Sequence, residues 1–275
     1  MNKKIFFIIF CSLALILTFF LFAFRYQGRS SVTSSIYTTK TDIATLPEAK
    51  PMMIVDLKNG DTYDMIASVV KKKIGNTDIR MLAYDGSIPG PVIRAPKGAE
   101  ITLRFTNKID VPTTIHSHGV RLANEFDGVP DVTQKEIKPD GSFTYQIKFP
   151  DEGVYWYHPH IREDYAQELG LYGNYVVTPD DPDYWSPADR TEYLFLDDLY
   201  LENGQTPFDL TIATHALMGR FGNVMLVNGE TDYRLGVMQG DVVRLFFTNS
   251  ANTRVFNIRI PDAEMKLVGG DNGKY

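Results

Sequence analysis

From about Met52 to Tyr275 the apolar residues fall in short runs. "EITLRFTN", "SFTYQIKFP", "GNYVVTP", "TEYLFLDD" and "DVVRLFFTNS" are rich in β-branched and aromatic residues, and Gly, Pro, Asn and Asp punctuate them. Short runs of this kind between turn residues predict strands. No segment of this region sustains a helical period, and only "REDYAQELGLYG" has room for a turn or two of helix. The expectation is an all-β fold of the sandwich type.

The start of the chain has a different pattern. Ile5 to Phe24 is apolar apart from Ser12 and Thr18, and it follows the short basic stretch Met1–Lys4. A helix of that length, at about 1.5 Å per residue, matches the roughly 30 Å hydrocarbon core of a bilayer. No small-x-small cleavage site precedes the polar stretch, so residues 1–25 are expected to be an uncleaved membrane anchor. The alternative is a signal peptide and a secreted product. Lys3 and Lys4 before the segment and Arg25 and Arg29 after it leave the orientation unsettled. A short N-terminus before a long globular part favours an exported domain. Residues 26–51, rich in Ser, Thr and Lys, read as a polar stalk.

The strand-rich part echoes itself. "MLAYDGSIPGPVIRAPKGAEITLRFTN" resembles "VMLVNGETDYRLGVMQGDVVRLFFTN", and their closing residues Asn107 and Asn249 lie 142 positions apart. Two copies of one sandwich domain are expected, over 52–182 and 190–275. The second copy has only about 85 residues, fewer than the roughly 100 that a sandwich of this type needs. It is expected to be truncated, lacking its last strands and leaving apolar faces and strand edges open.

Composition narrows the classes. The 275-residue chain is 44% hydrophobic and 23% charged, values of a globular protein. A net charge of -6 provides no basic footprint for nucleic acid. The single cysteine, Cys11, lies within the apolar segment, so the exported part has neither a disulfide nor a thiolate metal ligand.

Four of the five histidines occur as two identical spacings, His116 and His118 in "TTIHSHGV" and His158 and His160 in "YWYHPHIR". Residues i and i+2 of a strand point to one face, roughly 6.5 Å apart. Each His-x-His therefore puts two imidazoles on one side. Pro159 donates nothing to a ladder and belongs at a strand end or edge. If the two strands are neighbours, four imidazoles converge. Two such pairs point to a metal site. Imidazole suits Zn, Cu, Fe and Ni; an all-histidine set in an exported β-sandwich leans toward copper.

"TTIHSHG", then "FDGVPDVTQ", then "SFTYQIKFPDEGVYWYHPH" closely resemble the N-terminal domain of the multicopper oxidase family, which includes laccases and bacterial copper oxidases. "HALMGRFGNVMLVNG" is similar to that family's passage into its second domain. The resemblance implies cupredoxin-like Greek-key sandwiches. It also implies a mononuclear blue copper that takes electrons from substrate, and a type 2/type 3 copper cluster that reduces O2 to water. By position, His116 resembles the first-domain type 2 ligand, His118 and His158 two ligands of one type 3 copper, and His160 a ligand of the other. Asp127 matches the family's acidic residue near the cluster, with a turn before Gly128 as its alternative role. His215 matches no ligand position and is expected to be structural.

The chain departs from the family where electrons enter. It has no C-terminal "HCH" and no exported cysteine, and the second copy carries "SANTRVFNIRI" where the first carries "KIDVPTTIHSH". Three readings stay open: a member of the family cut short and inactive alone, half of a split oxidase completed by a second chain, and a non-enzymatic copper-binding module.

Overall fold

The computed structural model describes residues 42–208, 219–270 and 273–275. The apolar segment, Cys11 and the expected anchor lie outside the described residues, as does His215. Among the described residues, no helix is long and apolar enough to cross a membrane.

The strands of the first half are β1 (Ile54–Asp56), β2 (Thr62–Ile74), β3 (Thr77–Tyr84), β4 (Val92–Pro96), β5 (Glu100–Lys108), β6 (His116–His118), β7 (Ser142–Lys148), β8 (Gly153–His158) and β9 (Gly173–Thr178). They form two sheets, in the orders β3-β2-β5-β7 and β1-β4-β9-β8-β6. One short helix, α1 (Glu163–Ala166), follows β8. Strand β5 alternates strictly: Ile101, Leu103 and Phe105 are buried, while Glu100, Arg104 and Lys108 are exposed. That alternation is the mark of a strand with one buried face. Between the sheets lie large aromatic side chains, Tyr84, Tyr145, Tyr157, Tyr175, Phe105 and Phe149, all fully buried. Their rings meet at tilted or edge-on angles, with Tyr157 and Tyr175 4.8 Å apart and Tyr84 and Tyr157 5.4 Å apart. Tyr145 Oη accepts from Ile115 N at 2.9 Å, and Tyr157 Oη donates to Pro91 O at 2.7 Å.

The second half contributes β10 (Arg190–Leu199), β11 (Val224–Val227) and β12 (Val243–Asn249), in the order β11-β10-β12, and a small hairpin of β13 (Gly269–Gly270) and β14 (Gly273–Lys274). The internal echo in the sequence is also an echo in structure. β2 runs antiparallel to β3 and parallel to β5; β10 runs antiparallel to β11 and parallel to β12. After β3, Asp85 and Gly86 both take positive φ; after β11, Asn228 and Gly229 do the same. Asp-Gly and Asn-Gly suit such a turn because both central residues need that conformation. Asp85 Oδ1 accepts from Ile66 N and Asn228 Oδ1 from Phe195 N, each at 2.8 Å. The four-stranded sheet adds β7 beyond β5, whereas β12 pairs with β10 alone among the described strands. Val242 and Phe247 on or beside β12, and Val255 and Leu267 after it, are exposed.

Two strands serve two cores. Strand β2 buries Met65 and Ala67 over its first half and Val70, Lys72 and Ile74 over its second, which are opposite faces. The second set joins Ile79, Met81 and Ile88 with Leu199 and Leu226 from the second half. Strand β9 is buried from Gly173 to Val177, without alternation. One face meets the aromatic core; on the other, Val176 packs with Tyr193 and Phe195 of β10.

A buried acidic group lies among the second-half contacts. Asp197 Oδ2 accepts from Tyr172 Oη and Asp197 Oδ1 from Asp198 N, both at 2.8 Å. Burial, reinforced by the charge of Glu168, holds Asp197 well above the usual carboxylate range. Its folded pKa thus exceeds the unfolded value of about 3.9, so the folded state binds the extra proton. The stability from this group is complete below about pH 4 and is lost as pH rises toward the folded pKa. Asp197→Asn is expected to raise the urea unfolding midpoint at pH 8 and to flatten its fall between pH 5 and pH 8. A variant with the wild-type pH slope would show that Asp197 is not the group responsible.

Candidate metal centre

The centre starts from a ladder of three residue pairs. β6 runs antiparallel to β8, with His116 opposite His158, Ser117 opposite Tyr157 and His118 opposite Trp156. Ser117 and Tyr157 point into the core and are 1% and 0% exposed, so the residues flanking them share the other face. β8 ends at His158, which leaves Pro159 just past the strand and His160 beyond the ladder. The His160 N–H donates to Thr114 Oγ1 at 3.3 Å.

All four paired histidines come together. His116 has its ring centroid 5.6 Å from that of His118, 5.4 Å from His158 and 4.5 Å from His160. His158 lies 5.7 Å from His118 and 5.2 Å from His160. One donor atom from each of His116, His118 and His158 falls within 4.8 Å of the others, and the same holds for His158, His160 and Glu163. His118, His158 and His160 open on a cleft of about 360 Å³, lined also by Asn249 at the end of β12 and by Ala251 and Asn252 just after it.

Hydrogen bonds settle which ring nitrogens are available. His116 Nδ1 donates to the Asp127 carbonyl at 2.6 Å, and His158 Nδ1 donates to the Pro159 carbonyl at 3.0 Å. A carbonyl only accepts, so Nδ1 carries the proton in both rings and Nε2 has a free lone pair. His158 Nε2 is buried without a hydrogen-bond partner. Burial, then the neighbouring charges of His116 and His160, lower the His158 pKa to about 3. His160 is also lowered, by burial and then His116, with Glu163 and Asp127 opposing. A neutral imidazole with one unprotonated ring nitrogen is the form that binds metal. Copper fits this donor set, and the orphaned His158 Nε2 is the atom that most needs such a partner.

The surroundings hold the rings in place. Trp156 stacks on His158 at 4.1 Å and 21°, and it also packs against the buried cluster of Val92, Tyr172, Val176, Tyr193 and Phe195, which includes two residues of β10. Asp127 sits both at a turn and beside a histidine. It follows a short 3-10 turn at Asn124–Phe126, and its carboxylate Oδ1 lies 3.4 Å from His116 Nδ1. Gly128 comes next, with φ of 77°. A Cβ there would stand 2.0 Å from the Ile115 carbonyl oxygen and 2.8 Å from His116 N.

Sequence reading passed over three residues here. Trp156 stands two before His158, and period two alone places it on the same face. Glu163 stands three after His160, the spacing of one helical turn. Gly128 carried a signal in "FDGVP", but the backbone it passes, at Ile115 and His116, is thirteen and twelve residues away in sequence.

Residues 67–182 match the family model described as multicopper oxidase. Copper resistance protein A of Pseudomonas syringae pv. tomato is 28% identical over 262 residues, covering 78% of this chain and 42% of that protein. Multicopper oxidase MmcO of Mycobacterium tuberculosis is 39% identical over 137 residues, covering 50% of this chain and 26% of that protein. The crystal structure of a multi-copper oxidase from Pseudomonas thermotolerans is similar at a TM-score of 0.68 and 32% identity, over 76% of this chain and 51% of that one. The chain belongs to the multicopper oxidase family. It spans about half, or less, of the length of these relatives.

Gly128→Ala is expected to destabilise the protein by at least about 1–3 kcal/mol, from backbone strain plus the clash with the strand that carries His116. Urea denaturation measures it. Wild-type stability in this variant would mean that the loop does not pass so close to Ile115.

Proposed function

We propose that this chain supplies the N-terminal copper-holding part of a multicopper oxidase. The observation that carries the proposal is the convergence of His116, His118, His158 and His160 on one face, with bare Nε2 atoms on His116 and His158. When bound, copper would supply the one-electron chemistry that couples substrate oxidation to the reduction of O2 to water. In this reading His116 serves the type 2 copper, His118 and His158 one type 3 copper, and His160 the other. The Asp127 carbonyl orients His116, and its carboxylate, beside the same ring, is placed to hold a proton or orient water. Trp156 covers one face of His158 and keeps water from it.

A blue copper needs a thiolate with two imidazoles. Cys11, in the apolar segment, is the only cysteine of these 275 residues, so we propose no turnover by them alone. The remaining cluster ligands would come from further polypeptide, either a continuation of the chain or a second chain. The exposed Val242, Phe247, Val255 and Leu267 suit such a contact. A second reading, a copper-binding module without oxidase chemistry, has its own support: His116, His118 and His158 alone can hold one ion. The apolar stretch Ile5–Phe24 supports an exported, membrane-anchored protein, or one secreted after cleavage.

Copper stoichiometry after dialysis tests the site. Wild type is expected to retain copper, and the double variant His158→Ala/His160→Ala to lose it while still folded by circular dichroism. Full retention in the folded double variant would sink the assignment. The copper-loaded 275-residue chain is also expected to show no intense blue absorption and no O2 uptake with phenols. An intense blue band would overturn the thiolate argument.

A further inference from the structure

Glu163 stands at the rim of the cleft, and none of the roles given above uses it. The four imidazoles are not held alike. His116 and His158 lie in strands, and each donates Nδ1–H to a backbone carbonyl. His160 lies past the end of β8, after a proline, with no ladder bond of its own. What faces its Nδ1 is the Glu163 carboxylate, at 3.1 Å. The chain reaches that position through a costly conformation. Arg162 adopts φ 49° and ψ 58°, left-handed for a residue with a side chain, and α1 begins at Glu163 directly after it. The turn brings Glu163 back onto the ring three residues earlier.

We propose that Glu163 is the positioning residue of His160. Its carboxylate accepts the Nδ1–H, fixes the ring's orientation and leaves Nε2 bare for the metal. A carboxylate is a stronger acceptor than a carbonyl and raises the donor strength of the imidazole it holds. Glu163 thus replaces, for the one ligand outside the ladder, what the backbone does for His116 and His158. This inference rests on the reading of His160 as a copper ligand. The competing role is direct ligation, since Glu163, His158 and His160 can also gather around one ion. The two roles differ in what glutamine can replace. An amide oxygen still accepts Nδ1–H, but it is a poor substitute for a ligating carboxylate.

The test is made on the full chain in detergent, with its five histidines labelled with 15N. Spectra are recorded without copper at roughly pH 8, where ordinary imidazoles are neutral. Protonated and bare ring nitrogens resonate far apart, and single-histidine variants assign them. His160 is expected as the Nδ1–H tautomer in wild type and in Glu163→Gln, and as a mixture of tautomers in Glu163→Ala. Copper affinity is expected to fall about 10–100-fold in Glu163→Ala and to stay within a few-fold of wild type in Glu163→Gln. A wild-type His160 protonated on Nε2, or a tautomer unmoved by Glu163→Ala, overturns the proposal. An equal loss of affinity in the alanine and glutamine variants overturns it in favour of ligation. The tautomer measurement needs no metal. If it succeeds while His158→Ala/His160→Ala keeps its copper, the copper reading fails and the positioning contact survives.

Discussion

β6 and β8 share only three residue pairs, yet every feature of the centre depends on their register. With His116 opposite His158, both His-x-His pairs look out of the same face and Ser117 and Tyr157 go into the core. A slip of one residue would send the imidazoles inward and a tyrosine outward, because side chains alternate with a period of two. So short a ladder does not hold its own register. It is pinned from behind by the buried Tyr157 and its bond to Pro91, from one end by Tyr145 on Ile115 N, and from below by the close passage of Gly128.

The aromatic core explains why those pins are rigid. Tyr84, Tyr145, Tyr157 and Tyr175 fill the space between the two sheets. Their large rings leave few alternative packings, and the hydroxyls that bond to the backbone orient the rings as well as fill volume. The second half braces the centre from the other side. Trp156 stacks on His158 while packing against the cluster that holds Tyr193 and Phe195 of β10, so the second half bears on a candidate ligand without contributing a histidine to it among the described residues.

Strands with one wet face were legible in the sequence: β5 and β7 alternate as written. β9 is buried on both faces, and its short run Tyr175–Val177, preceded by a buried Asn174, suits a strand but does not give its place. β2 changes its buried face midway, and no single period describes it. The echo between the halves was legible because the Asp-Gly and Asn-Gly turns repeat with their flanking strands. How the halves pack was not legible, since Leu199 and Leu226 meeting Val70 and Ile74 is a matter of distance in space.

For the candidate centre, the sequence by itself determined the supply of imidazoles: two His-x-His pairs, each confined to one face by strand geometry, with no thiolate beyond Cys11. Only the tertiary structure decided that the pairs are neighbours, that Nδ1 is the protonated nitrogen of His116 and His158, and that a carboxylate stands against His160. The reason is physical. Alternation along a strand is local and can be read from residue types. Which carbonyl or carboxylate meets a ring nitrogen depends on loops such as 124–128 and 159–163 closing over the sheet, and packing sets that closure.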